Sequence, residues 1–408
     1  MNNSYNTLLK LLQNALWQTA IDDIVNCNWN EIEDIAQKHN IGSILASVEK
    51  NNIIPKTTQD KWKAMAAYQI INNQRLLADQ DSMINLLDDA NIPLVILKGA
   101  SSMQYYPHQE VRPMGDIDFI VPRDKYEEAY EILISNGFTL IHERSETERH
   151  IELKHNGFLY ELHRFYTETN DSNYAKELDD LIFKNIENCK RISLKNYSIP
   201  VLPDLINGLV LLQHINHHLE RGLGLRQIID WMVFYSSVIV SDEMWNALHE
   251  YAVLTGLAQL EYYVTSMCIY YLGLISSNNV YNAEKSICQD MLQHVLSSGN
   301  FGHAITTTDE KINVILRRNR SPQQWIRMMC RNGNIHWKAE HKHALPSPFA
   351  FIYQIIYYIR MMKKQRVSIK QTISLIRQHN KRQDILESIG AKIVSKGSAV
   401  YKDGKYEK

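Results

Sequence analysis

Apolar residues recur every three or four positions near the start of the chain, as between Leu8 and Leu12, and this period is that of an amphipathic helix. From about residue 90 to residue 200 the apolar runs are shorter and separated by turn residues, which indicates strands. After Pro203-Asp204, a typical helix start, the helical period returns. The pattern predicts an α+β fold in which helical regions flank a small mixed β-sheet.

The pattern also predicts a division of the chain into four regions. They are a helical region at residues 1–88, the α+β core at 89–202, a second helical region at 203–396 and a flexible tail at 397–408. Within the core, residues 123–136 are predicted to form one helix that ends at Gly137, because glycine commonly follows a helix C-terminus. Trp29 and Ile35 are predicted to lie in the hydrophobic core.

Two carboxylates stand one residue apart in the apolar run that contains Ile117 and Phe119. On a strand, Asp116 and Asp118 project from one face while Ile117 and Phe119 project from the other. Oxygen ligands at this spacing suit a hard cation such as Mg²⁺, which shares its coordination with waters and substrate phosphates. An isolated acidic pair is weak evidence, since many such pairs are solvated or cap turns.

The neighbouring segments strengthen the case. Upstream, an apolar run predicted as a buried strand ends at Lys98-Gly99 and is followed by small hydroxyl residues. A strand, a glycine turn and a helix start would present backbone N–H groups to a phosphate. Downstream, residues 158–163 have a strand pattern with Glu161 and His163 on one face. A third carboxylate is therefore available beside the acidic pair.

Five features carry a family resemblance: an N-terminal helical region, Leu-Lys-Gly-Ala at 97–100, Arg-x-x-Gly-Asp-x-Asp at 112–118, Glu-Leu-His at 161–163, and a later histidine-rich helix. In this order, between about residues 28 and 235, they resemble a bacterial family of largely uncharacterised nucleotidyltransferases. That family belongs to the superfamily with a DNA polymerase beta type of catalytic core. The resemblance is to an ordered set of motifs, which is more specific than any one of them.

The resemblance implies that Asp116 and Asp118 are ligands of Mg²⁺, with Mn²⁺ as the alternative ion. Glu161 falls where the superfamily has its third acid. It is expected to complete the metal site or to accept the proton of the attacking group. The three acids are thus the expected catalytic and metal-binding residues.

The resemblance also implies that Gly99, with Ser101 or Ser102, forms the turn that holds the nucleotide phosphates. The superfamily's Gly-Ser pair is Gly-Ala-Ser-Ser here, so either serine is a candidate for the phosphate contact. The alternative for both is a helix N-cap.

Two basic residues flank the acids in sequence and could offset phosphate charge as nucleotide-binding residues. For Arg112 the alternative is an ion pair that orients Asp116 or Asp118. For Lys98 the alternative is a strand end that reaches solvent.

The histidine-rich helix contains His214 and His218, which share a helix face because they are four residues apart. A zinc pair is one interpretation, although the acid of a His-Glu-x-x-His motif is absent. A second is that Arg226 or a histidine reaches the triphosphate or the acceptor. The remaining alternative is structural, for example an ion pair between Arg226 and Asp230.

Composition fits a soluble protein of more than one domain. The chain has 408 residues and 45% hydrophobic content, with five cysteines that lie far apart and form no Cys-x-x-Cys pair. A disulfide framework is not expected, and a reducing compartment fits. The N-terminus lacks a signal-peptide pattern and no apolar run is long enough to span a membrane. These features predict a cytoplasmic location.

Charge is concentrated although the chain sums to −1. Residues 311–396 contain 18 Lys and Arg against three acids, and this excess favours an anionic partner, either nucleic acid or a membrane surface. Within it, residues 348–362 are apolar and aromatic and precede a basic cluster. An interfacial membrane helix, a polyanion-binding surface and an ordinary core helix all remain open.

Together these features predict a Mg²⁺-dependent nucleotidyltransferase. It would move a nucleoside monophosphate from a nucleoside triphosphate to an unidentified hydroxyl acceptor on a small molecule, a protein or RNA. The alternative is a non-catalytic protein that keeps the nucleotide-binding fold and engages nucleic acid or an anionic surface, because fold and chemistry are separable.

Overall fold

The structure is a computed structural model of the chain. It describes residues 3–21, 24, 27–49, 52–142, 149–167, 173–219, 222–276, 278, 280–299, 322–341, 343–364, 388–390, 400–402 and 405–407. The α+β prediction is confirmed, since a mixed sheet of seven strands lies between helical regions.

Four helices precede the sheet: α1 (Asn3–Trp17), α2 (Trp29–Lys38), α3 (Gly42–Leu45) and α4 (Lys56–Asp89). The N-cap of α2 is Asn28, whose side chain accepts a hydrogen bond from the backbone N–H of Glu31. Ile35 is buried as predicted, whereas Trp29 is half-buried. The 34-residue α4 carries its last buried residues, from Leu76 to Leu87, into the core of the sheet.

The seven strands are β1 (Val95–Ile96), β2 (Ile117–Ile120), β3 (Thr139–Leu140), β4 (His150–His155), β5 (Phe158–His163), β6 (Lys190–Leu194) and β7 (Tyr197–Val201). Their order across the sheet is β3-β4-β5-β2-β1-β7-β6. The pairs β2–β5 and β1–β7 are parallel, and the remaining neighbours are antiparallel. Strands β2 and β5 are therefore adjacent, although 37 residues separate Ile120 from Phe158 in the chain.

Short elements connect these strands. They are α5 (Ala100–Met103), two 3₁₀ turns (Gln109–Val111 and Arg123–Lys125), α6 (Tyr126–Ser135) and α7 (Asn173–Lys184). The helix predicted at 123–136 is present as the second 3₁₀ turn followed by α6, and Gly137 follows it with a φ of 91°. Phe119 and Tyr160 are fully buried between the sheet and its helices, which confirms that the apolar face of β2 forms core.

Helices follow the sheet: α8 (Asp204–His218), α9 (Leu225–Val238), α10 (Asp242–Leu254), α11 (Ala258–Leu272) and α12 (Lys285–Ser298). Helix α8 begins at the predicted Pro203-Asp204, with Pro203 as N-cap. Helix α9 is buried along most of its length, from Leu225 to Tyr235. It packs against α8 and α11.

The chain divides into two compact units, one of residues 1–304 with 386–408 and one of residues 305–385. The second contains α13 (Pro322–Glu340) and α14 (Ser347–Lys364), which pack against each other. The first ends with the paired strands β8 (Val400–Lys402) and β9 (Lys405–Glu407), within the predicted flexible tail. The four-region division stays a prediction.

Helix α14 contains the apolar segment 348–362, and Phe349, Ile352 and Ile359 are exposed on it. No helix among the described residues is both long enough and apolar enough to cross a membrane. Much of the basic stretch 311–396 lies outside the described residues, so its anionic partner stays a prediction.

Candidate active site

The three predicted acids converge at the edge where β2 and β5 lie side by side. Asp118 is on β2, Asp116 immediately precedes that strand, and the parallel register places Asp118 opposite Glu161. One carboxylate oxygen from each of the three lies within 4.8 Å of the other two. Residues on paired positions of neighbouring strands share a face, so strand register accounts for the cluster.

The donor set fits a hard divalent cation. Three carboxylates supply oxygen ligands only, which is the preference of Mg²⁺ and is also accepted by Mn²⁺. Asp118 is almost fully buried and Asp116 is half-buried. A bound ion would therefore have protein on one side and the pocket on the other.

Lys98 turns toward the acids rather than toward solvent. Its Nζ lies 2.7 Å from Oδ1 of Asp118, and its side chain is 14% exposed. Burial acts to lower the pKa of Lys98, but the charges of Asp118 and Asp116 outweigh it and raise that pKa above its ordinary value. Lys98 is therefore a firmly protonated cation that partly neutralises the acidic cluster.

His163 links two of the acids. Its Nε2 lies 3.0 Å from Oδ1 of Asp118 and 3.4 Å from Oε2 of Glu161, and the ring is fully buried. Burial acts to raise the pKa of Glu161, but the hydrogen bond with His163 and the charge of Lys98 outweigh it and lower that pKa. Glu161 is thus ionised at neutral pH.

Gly99 lies beside the acids in a backbone conformation that favours glycine, with a φ of 63°. A Cβ at this position would approach the backbone oxygen of Asp116 at 3.7 Å. The space is ordinary, so the backbone conformation is the main requirement for glycine. Gly99 lines the pocket, as the resemblance implied.

The acids open into a pocket of about 230 Å³ whose lining also includes a set of cations and histidines, its basic side. The members of that side are Arg112, Arg149, His214, His217, His218 and Arg226. Three of them are on α8, Arg226 is the second residue of α9, and Arg149 precedes β4. Acidic and basic side chains thus face a common space.

Two of the pocket histidines on α8, His214 and His218, are held in a neutral form. Burial, the largest cause, lowers the pKa of His214 and His218, and the charge of Lys98 adds to the effect. Two groups of three potential metal ligands occur among the described residues, and neither includes a histidine of α8. The structure therefore gives no support to the zinc-pair interpretation.

Arg112 and Arg226 differ in their surroundings although both line the pocket. Arg112 forms a bidentate ion pair with Asp230, with Nη2–Oδ2 and Nε–Oδ1 distances of 2.7 and 2.8 Å, and both residues are buried. The pKa of Arg112 is raised by Asp230 against the opposing effect of burial. The pKa of Arg226, by contrast, is lowered by burial and by the charge of Arg112.

The partners of Asp230, Arg112 and Arg226 in the structure differ from the ion pairs that the sequence suggested. Asp230 pairs with Arg112, 118 residues away, where the sequence suggested an i,i+4 ion pair with Arg226. Arg112 likewise pairs with Asp230 and not with Asp116 or Asp118. The guanidinium of Arg226 instead donates to the backbone oxygen of Pro113 at 3.4 Å.

The two serines lie behind the pocket and do not line it. Both are fully buried on α5. The hydroxyl of Ser101 donates to Oδ1 of Asn207 on α8 at 2.9 Å. The hydroxyl of Ser102 has no hydrogen-bond partner among the described residues.

Sequence reasoning missed Arg149, His150 and His217. Arg149 immediately precedes β4, and His150 is its first residue. His217 is next to His218, which with His214 forms the histidine pair at i,i+4 spacing. None has a motif that marks it. The fully buried ring of His163 was noted only for its face on the strand, although it contacts two acids.

Comparison with known proteins identifies a family and shows remote similarity to a solved structure. No curated protein matches the chain. The solution structure of the antibiotic-resistance factor ANT(2'')-Ia aligns with 43% of this chain and 90% of its own, at 11% sequence identity and a TM-score of 0.32. The model of a family described as uncharacterised nucleotidyltransferase matches residues 26–273, which include both sides of the pocket. The chain therefore belongs to this nucleotidyltransferase family.

Proposed function

We propose that the chain transfers a nucleoside monophosphate from a nucleoside triphosphate to a hydroxyl acceptor, with Mg²⁺ as the cofactor and Mn²⁺ as its substitute. The observation that carries this proposal is the convergence of Asp116, Asp118 and Glu161 in one pocket that is also lined by cations. Phosphoryl transfer depends mainly on positioning and charge neutralisation, and the two sides of the pocket supply both.

The acidic side would hold the cofactor. Asp116, Asp118 and Glu161 are its ligands in this proposal, supported by oxygen atoms within 4.8 Å of one another. The bound ion supplies neutralisation of phosphate charge and orientation of the reacting phosphate. The ammonium of Lys98, 2.7 Å from Asp118, is close enough to contact the same phosphates.

The basic side would bind the leaving end of the triphosphate. Arg226 is 6% exposed, and its pKa is lowered by burial and by Arg112, so an anion in the pocket would relieve an unfavourable charge. Arg149 and His217 line the same side. Arg112 adds positive potential to the pocket. Because it is ion-paired with Asp230, its main role in this proposal is to hold the loop that leads to Asp116.

The backbone at Gly99 fits the phosphate turn, because it lines the pocket at the point where β1 ends. Ser101 and Ser102 would support that turn from behind, since both are buried away from the pocket. In this proposal Ser101 fixes α5 to α8 through Asn207.

The reaction is a displacement at the α-phosphorus. The acceptor oxygen forms a bond to phosphorus, the bond to the bridging oxygen breaks, and pyrophosphate leaves toward the basic side. The acceptor's proton passes to Glu161 or, through it, to solvent. The acceptor is a hydroxyl of a small molecule, a protein or RNA, and the nucleotide base is equally open.

The test is transfer from labelled nucleoside triphosphates by the purified full chain, with Mg²⁺ and cell extract as the source of acceptor. Mass spectrometry of the labelled product identifies the acceptor. Asp116→Asn and Asp118→Asn should each abolish transfer, because each removes a charged ligand without changing side-chain shape. Asp180→Asn is the matched control, since its carboxylate is exposed and paired with Arg123 on the surface.

Thermal unfolding of each variant verifies that the fold is kept. Undiminished transfer by the Asp118→Asn protein, with normal folding, would remove the proposal. Calorimetric titration of ATP and GTP with and without Mg²⁺ adds a second measurement. Nucleotide binding that requires the metal and is lost in Asp116→Asn supports the enzyme over a non-catalytic binding protein.

A further inference from the structure

A second set of metal-binding side chains lies next to the three acids, on β4 and β5. The antiparallel register pairs His150 with His163 and Glu152 with Glu161. Directly opposed residues, and residues two apart on a strand, project from the same face. His150, Glu161 and His163 therefore share one face, and their rings and carboxylate point into a common space.

The donor atoms have the spacing of a metal site. Nε2 of His163 and Nε2 of His150 lie 3.4 and 3.8 Å from Oε2 of Glu161, and one donor atom from each of the three residues lies within 4.8 Å of the others. A tetrahedral ion with bonds of about 2.1 Å separates its ligands by about 3.4 Å. Small side-chain rotations would bring all three to bonding distance.

The surroundings also favour a bound ion. The ring of His163 is fully buried, and His150 and Glu161 are 20% and 13% exposed. Nε2 of His163 is the ring nitrogen directed toward Glu161 and Asp118, at 3.4 and 3.0 Å from their carboxylate oxygens. A ring held in this way presents one nitrogen to the shared space.

The ligand types distinguish this group from the three acids. Two imidazoles and one carboxylate suit borderline metals such as Zn²⁺ and Co²⁺ better than Mg²⁺, which prefers oxygen. We propose that His150, Glu161 and His163 form a second site for a borderline divalent metal, which shares Glu161 with the carboxylate site. The proposal does not depend on nucleotide transfer, because it concerns metal binding by the unliganded chain.

Cobalt binding to the full chain tests the proposal. Co²⁺ reports nitrogen ligation through its visible absorption, and calorimetry gives its stoichiometry and affinity. The chelator-treated protein should bind one Co²⁺ with the spectrum of an imidazole-ligated ion. His150→Ala should weaken this binding by about 100-fold or more, because even an outer-shell change costs about 10–100-fold in metal affinity.

Two comparisons make the result specific. His142→Ala is the matched control, since His142 is 76% exposed and contacts Glu152 rather than Glu161; it should leave the spectrum unchanged. Asp116→Asn removes a ligand of the carboxylate site alone, so the imidazole-ligated Co²⁺ should remain while Mg²⁺ binding falls. His163→Gln provides a second ligand variant, and thermal unfolding verifies that each variant is folded.

Two outcomes would overturn the proposal. One is Co²⁺ binding that is equal in wild type and His150→Ala. The other is Co²⁺ binding that disappears in Asp116→Asn and shows no imidazole ligation in the wild type, which would assign the ion to the carboxylates alone. Neither outcome affects the transfer assay, and a failed transfer assay leaves the imidazole spectrum unaffected.

Discussion

The acidic and basic sides of the pocket are positioned by different kinds of structure. Asp118 and Glu161 stand opposite each other on paired strands, so backbone register places them. Arg226 and His214 come from two helices that follow the sheet, so tertiary packing places them. Substitutions of the acids should therefore lower the rate of transfer with little effect on stability. Substitutions in the buried contacts of α8 and α9, such as the ion pair of Asp230, should instead lower stability first.

The largest effect on the acidic side is expected for Glu161→Gln. It should lower kcat by about 10²–10⁴-fold if Glu161 accepts the acceptor's proton, because that is the usual contribution of a general base. Nucleotide affinity should change little. If Glu161 is mainly a metal ligand, the affinity for Mg²⁺ should fall as well. Steady-state kinetics and calorimetric metal titration measure the two quantities.

Glu152→Gln is the control for this variant. Glu152 pairs with Glu161 across β4 and β5 and is 35% exposed, but it does not line the pocket. Its kinetics should match those of the wild type. If Glu161→Gln and Glu152→Gln have the same kcat, Glu161 has no catalytic role that Glu152 lacks. Its position in the strand register would then not identify it as the reactive acid.

On the helical side, Asp230→Asn should lower the free energy of unfolding by about 3–5 kcal/mol, the usual effect of removing one partner of a buried ion pair. Asp230 also accepts a hydrogen bond from Tyr106 at 2.7 Å. Chemical denaturation measures the change. Asp180→Asn, at an exposed ion pair with Arg123, should cost about 1 kcal/mol or less. Similar losses for the two variants would contradict a special role for the buried pair.

Arg226→Gln should separate binding from stability. Loss of a charge-assisted hydrogen bond, about 1.5–3 kcal/mol, should raise the KM for the nucleoside triphosphate by about 10–100-fold. The free energy of unfolding should stay equal or rise, because the lowered pKa of Arg226 marks its charge as unfavourable in the folded protein. A lower free energy of unfolding with an unchanged KM would make Arg226 structural.

The smallest effects are expected at the serines. Ser101→Ala leaves the buried Oδ1 of Asn207 without its donor and should cost about 1–3 kcal/mol of stability. Ser102→Ala removes a hydroxyl that has no hydrogen-bond partner among the described residues, so stability should be equal or higher. Both variants should keep the wild-type KM. A raised KM in either variant would return that serine to the nucleotide site.

The acidic side could be predicted from sequence because the common face of its residues depends only on their spacing along a short segment of the chain. The two-residue spacing of Asp116 and Asp118 fixes their common face whatever the partner strand, and the same holds for Glu161 and His163. The parallel pairing of β2 with β5 is not in this pattern. The strand pattern offered Glu161 as a third carboxylate and the family resemblance gave it a role, but neither predicted which strands pair.

The basic side could not be predicted to the same extent because its partners are distant in the chain. Helical spacing suggested that Asp230 pairs with Arg226, yet a buried bidentate pair with Arg112 replaces it across 118 residues. Arg149 has no neighbour in sequence that marks it as a pocket residue. The serines followed a phosphate-turn pattern, but the four-residue α5 directs them into the protein.

The ion pair between Arg112 and Asp230 also bears on how the enzyme can be shortened and in what order it forms. A fragment that ends at residue 202, where the sheet ends, would retain all three acids but lose α8, α9 and the carboxylate that neutralises Arg112. The smallest fragment with a complete pocket must therefore extend beyond Asp230. During synthesis the sheet emerges before α8 and α9, and this contact of high sequence separation forms late, so the pocket should be among the last parts of the protein to mature.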